Sequence, residues 1–153
     1  MKSVNFESLP EQLLRQLPLK IQLEVEAILE TFGVRKVFLI DDLFSAQLEN
    51  PPHPSVLIKR SEDSVFIKRR SALSGAIEQN IEMEFVILPT GNWLPVAFKG
   101  ISRHSQEALH FADDGTFASF SPQTMESVIE LSNAWAQKLE THQYRKARLV
   151  ISP

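Results

Sequence analysis

Two six-residue runs, Ser55-Val56-Leu57-Ile58-Lys59-Arg60 and Ser64-Val65-Phe66-Ile67-Lys68-Arg69, nearly repeat each other around Ser61-Glu62-Asp63. Setting Arg60 opposite Val65 collects Val56, Ile58, Val65 and Ile67 on one face of a hairpin. A slip of one residue would scatter this β-branched set over both faces, so the register is strongly specified. A second alternation runs from Met83 to Leu88 and from Trp93 to Lys99, around Pro89-Thr90-Gly91-Asn92. Pairing Leu88 with Trp93 gathers Met83, Phe85, Ile87, Leu94, Val96 and Phe98, and sets Glu82 opposite Lys99. Pro95 cannot donate to a ladder, which assigns this strand to a sheet edge. Asp114-Gly115 marks a third hairpin that brings Leu109, Phe111, Ala118 and Phe120 together.

Helical periods flank this strand-rich middle. Ser8-Leu9-Pro10-Glu11 has the capping-box spacing, predicting a short helix to about Leu17. From Pro18 to Phe32, Ile21, Val25, Ile28, Leu29 and Phe32 share one helical face. Leu19, Ile21, Leu23 and Val25 also alternate as in a strand, but the glutamates, glutamines and alanine favour helix, and Gly33 suits its end. Val34 to Ile40 reads as a strand ending at Asp41-Asp42. The proline-rich stretch Leu48 to Pro54 reads as a loop, and residues 43–54 as the one linker-like segment. Ser121-Pro122 opens a last helix to about Thr141, with Met125, Val128, Ile129, Trp135, Ala136 and Leu139 as its buried stripe. Residues 72–77 suggest a helical turn, and the tail 144–151 either a strand or a loose end.

The order of elements defines an α+β fold: two N-terminal helices, an antiparallel meander of six to seven strands, and a C-terminal helix on one sheet face. At 153 residues the chain has the length of one domain spanning 1–153, with about two-thirds of its unfolded surface available for burial. A 43% hydrophobic and 23% charged composition argues against disorder.

Charge and composition then narrow the functional classes. The formal net charge of -3 disfavours a general polyanion binder, although the middle third of the chain is slightly basic. The absence of cysteine excludes disulfides, thiolate metal sites and cysteine nucleophiles, and fits a reducing cytoplasm. Met1 to Glu7 lacks the apolar segment of a signal peptide, and no apolar run is long enough for a membrane span.

Candidate chemistry is sparse. Asp41-Asp42 lacks a phosphate-cradling glycine loop, and His53, His104, His110 and His142 show no metal-ligand spacing in sequence. Arg103-His104-Ser105 sets a base beside a hydroxyl, but adjacent residues rarely form a catalytic pair. No cofactor and no metal are expected, and an enzyme is the weaker reading. The basic hairpin interleaves Lys59, Phe66, Lys68, Arg69 and Arg70, a composition that can track phosphates and stack bases or simply protect strands from aggregation. Trp93 and Val86 fall opposite the second hairpin's apolar set, marking either a sheet covered on both faces or a contact patch. With Arg103 they complete an anchor-like composition. The leading expectation is a non-catalytic protein-binding module of adaptor, inhibitor, immunity or chaperone type. Single-stranded nucleic-acid binding through residues 55–70 and an enzyme with a spatially assembled site are the alternatives.

Overall fold

A computed structural model of the chain describes residues 9–70, 81–100, 106–114 and 117–151. Three N-terminal helices, α1 (Glu11–Leu14), α2 (Lys20–Thr31) and α3 (Arg35–Ile40), precede β1 (Leu43–Glu49), β2 (Ser55–Ser61), β3 (Ser64–Arg70), β4 (Ile81–Ile87), β5 (Trp93–Gly100) and β6 (Gln106–Glu107). The hairpin β7 (Leu109–Phe111) and β8 (Phe117–Phe120), helix α4 (Pro122–Thr141), a 3-10 turn at Tyr144–Lys146 and β9 (Arg148–Ile151) follow. The main sheet is antiparallel in the order β6-β5-β4-β3-β2-β1-β9, with β7 and β8 paired separately. The fold is α+β. Among the described residues no helix is long and apolar enough to cross a membrane. The turn expected at 72–77 lies outside the described residues.

One sheet face carries the core. Phe44, Ala46 and Leu48 of β1, Val56 and Ile58 of β2, Val65 and Ile67 of β3, and Met83 and Phe85 of β4 are all buried. The expected register of the first hairpin holds, with Arg60 opposite Val65. Helix α4 packs against α2, β5 and β6, with its entire predicted stripe buried. Ser121 caps α4 by accepting from the Thr124 amide at 3.4 Å, satisfying one orphan donor of the first turn. At the end of α2, Gly33 adopts φ +75°, and the Val34 amide donates to the Leu29 carbonyl at 2.9 Å. This is a Schellman closure, which favours glycine because the left-handed backbone crowds a Cβ.

Four expectations need correction. Residues 35–40 form a helix: the Phe38 amide donates to the Val34 carbonyl at 3.1 Å, and Phe38 alone of α3 is buried, where a strand would bury alternate residues. Residues 43–49 form a strand inside the sheet rather than a linker: Phe44, Ala46 and Leu48 alternate inward. In the second hairpin Glu82 does oppose Lys99, but the register shifts after Glu84, so that Phe85 faces Pro95 and Ile87 faces Trp93. The extra residue of this bulge turns Trp93 onto the core face. Finally, β5 is not the edge: β6 lies beyond it, pairing only at Ala97 and Phe98, so Pro95 owes that neighbour no donor. The tail forms the other edge, with β9 paired to β1.

Candidate functional site

The sheet face opposite the α2–α4 layer changes character from one end to the other. Around β4 and β5 it is closed, since Glu84, Val86, Leu94 and Ala97 are all buried. Toward β3, β2 and β1 it becomes partly exposed, as Phe66, Lys68, Leu57, Gln47 and Ser45 show. At β1 and β9 it opens further: Leu43 is 71% exposed and Val150, cross-strand to Gln47, 37%. Just before Leu43, α3 presents Val37, Leu39 and Ile40 to solvent, with Ile40 at 79%.

Arg60, on the core side of the sheet, anchors the end of α3. Its guanidinium donates at 2.8 Å to the carbonyls of both Phe38 and Leu39 and at 2.9 Å to that of Glu62. These bonds satisfy carbonyls left open at the C-terminal end of α3 and tie it to the β2–β3 turn. The apolar side chains next to that clamp are therefore presented on a fixed backbone.

The structure separates the residues singled out from sequence. Lys59 and Phe66 are cross-strand partners, the lysine exposed and the ring partly buried, with Glu84 on the far side of Phe66. Lys68 lies 3.5 Å from Glu82. Arg70 is exposed at the strand end, whereas Arg69 points to the core face, its guanidinium carbon 5.8 Å above the Trp135 ring. Desolvation pulls the Arg69 pKa below its usual value, partly opposed by Tyr144. Trp93 is 1% exposed and lies against Phe38 and Phe85, with centroids 5.9 and 5.5 Å away. It is a core residue. Arg103 lies outside the described residues.

Three further features were not visible in the linear pattern. Lys68, Arg69 and Arg70 meet Lys99 around a concavity of about 270 Å³ at the β3–β4–β5 end. A cleft of about 340 Å³ holds buried Glu84 with Lys99, Glu107 and His110, the last two 3.5 Å apart. No cluster of three metal-binding side chains occurs among the described residues. His53 and His142 stack with centroids 3.9 Å apart, 89 positions apart in the chain, beside Tyr144, whose hydroxyl donates to the Pro54 carbonyl. Burial, His53 and Lys138, in that order, hold the His142 imidazole below its ordinary pKa. Asn50 donates to the His142 carbonyl at 2.6 Å, tying the β1–β2 loop to the end of α4.

No family model matches the chain, nor does any curated protein or solved structure compared with it.

Proposed function

We propose that this chain is a non-catalytic protein-binding module that docks a partner protein on the open end of its sheet. The observation that carries this reading is the run of apolar side chains left open on this sheet face: exposed Leu43 and Val150, continued by partly exposed Leu57 and Phe66. Such a surface costs free energy in water and gains it on burial at an interface. Exposed Lys59 adds a positive charge to the patch, favouring a partner that presents apolar groups beside carboxylates.

The nucleic-acid reading is less well supported. A strand-binding groove needs cations along a track and free aromatic faces. Here Glu82 and Glu84 interrupt the row beside Lys68 and Phe66. The cleft around Glu84 and His110 keeps an enzymatic reading in view, but the Glu107–His110 pair is largely exposed, where such pairs have little influence.

The test is affinity capture of the tagged chain from its native host, before and after nuclease treatment, with Leu43→Asp as the comparison. The reading expects a protein partner that survives nuclease and is lost with Leu43→Asp, while the unfolding midpoint is kept because Leu43 is solvent-facing. A partner retained by Leu43→Asp, or released by nuclease, would overturn it.

A further inference from the structure

The two edges of the main sheet differ in character. Among the described strands, β6 ends one side with two polar residues, Gln106 and Glu107, and β9 ends the other with Arg148-Leu149-Val150-Ile151. Charged side chains blunt an edge against pairing with another chain. β9 has one, Arg148 at its start, which faces Glu49 at 4.0 Å, and its remaining residues are all apolar. No described strand lies beyond β9, so alternate residues turn their N–H and C=O groups away from β1 with no described strand to meet.

The exposure of β9 is of a kind that a neighbouring strand relieves. Val150 lies opposite Gln47 on the outer face and is 37% exposed, while Ile151 lies opposite Ala46 on the core face and is 49% exposed. A partner lying on either sheet face would cover one of the two. A strand added at the edge gives each a cross-strand neighbour on its own face and pairs the outward backbone groups as well.

The strand is also complementary to itself. A two-fold axis perpendicular to the sheet sets two copies of β9 antiparallel with both core faces on one side, so residues meet only within a face. Centred on Val150, the axis opposes Val150 to its own copy and Leu149 to Ile151, which are apolar pairs on both faces. The two Arg148 side chains then fall at opposite ends, roughly 13 Å out of line along the strand. Centred on Leu149 instead, the pairing would set the charge of Arg148 against Val150. We propose that β9 pairs antiparallel with β9 of a second copy of this chain, joining two sheets edge to edge about Val150. An edge this short makes a small interface, in the range of weak and reversible association. The pairing takes Val150 at the margin of the docking face, leaves Leu43, Leu57 and Phe66 open, and stands apart from the docking reading.

The test is sedimentation of the purified full chain from about 10 μM to about 1 mM, alongside Val150→Lys and Leu43→Asp. Wild type and Leu43→Asp should pass from monomer towards dimer over this range. Val150→Lys should associate at least about tenfold more weakly, while unfolding at the wild-type midpoint in dilute solution. Because the chain has no cysteine, single cysteines locate the axis. Under mild oxidation Val150→Cys should form a disulfide dimer at least about tenfold faster than Arg148→Cys or, on the other edge, Glu107→Cys. A wild type monomeric throughout, undiminished association of Val150→Lys, or equal rates in the three cysteine variants would overturn the proposal. So would loss of the dimer in Leu43→Asp, which would place the contact on the sheet face. A monomer whose β9 amides all resist hydrogen exchange would assign the edge to another segment of the same chain, and it too would overturn the pairing.

Discussion

The shifted register of β4 and β5 makes Phe38 and Trp93 direct neighbours, and a double-mutant cycle between them tests the shift. Phe38 is fully buried, Trp93 is 1% exposed, and their rings lie 5.9 Å apart at 54°. Burial alone does not discriminate the two registers, because Val86 and Leu94 on the opposite sheet face are buried as well. The coupling between the two rings does. Truncating either residue to alanine should cost about 3–5 kcal/mol, a large part of the roughly 5–15 kcal/mol that holds a domain together. Leucine replacements, Phe38→Leu and Trp93→Leu, keep the double variant measurable. Contacting aromatic pairs contribute about 0.5–1.5 kcal/mol beyond their area, so the double variant should be less destabilised than the sum of the singles by that amount. Urea denaturation supplies the midpoints, read at constant m-value so that a changed denatured state is not mistaken for coupling. Costs that add to within about 0.3 kcal/mol would place the two rings on different faces and refute the bulged register.

Two other perturbations follow from single residues. Arg145 donates to both carboxylate oxygens of Glu24 at 3.0 and 2.9 Å, and the Glu24 side chain is only 6% exposed. Because Arg145 itself is about half exposed, Arg145→Ala should cost about 1–3 kcal/mol rather than the larger loss of a fully buried pair, with Glu24→Gln recovering part of it in denaturation measurements. The lowered pKa of His142 means that the unfolded chain takes up its proton at a higher pH than the folded one. Stability should therefore fall as pH drops through about 6.5 and level off below the folded value, a dependence that His142→Gln should flatten; equal pH slopes in both proteins would contradict it.

What could be read from the sequence depended on whether the deciding interaction was local. The first hairpin was legible because its β-branched alternation and short turn agree on one register. Helix α4 was legible because its cap and buried stripe are written within twenty consecutive residues. In the strand at 43–49, Phe44, Ala46 and Leu48 alternate with polar residues, but the prolines that follow carry the signature of a loop and mask that short pattern. Residues 34–40 are rich in valine, leucine and isoleucine and resemble a strand. The partner that satisfies carbonyls at the end of their helix, Arg60, lies about twenty positions away. The bulge beside Pro95 leaves the alternation undisturbed up to Glu84 and shifts it afterwards, so Trp93 lies on the core face and not opposite the apolar set, while Val86 is buried on the other face, as a sheet covered on both sides requires there. Lys99 joins Lys68, Arg69 and Arg70 only through the pairing of three strands, which no spacing rule in the chain reveals.

On the proposed function, a partner protein sits on the open end of the sheet face. The measurement that tests this most directly is site-specific photocrosslinking in the native host, with a photoreactive residue in place of Leu57 on that face and, as control, in place of exposed Glu30 on α2. A discrete protein adduct is expected from position 57, absent from position 30 and competed away by untagged wild-type chain. Adducts of equal yield from both positions, or none at 57 while the partner still co-purifies, would contradict it.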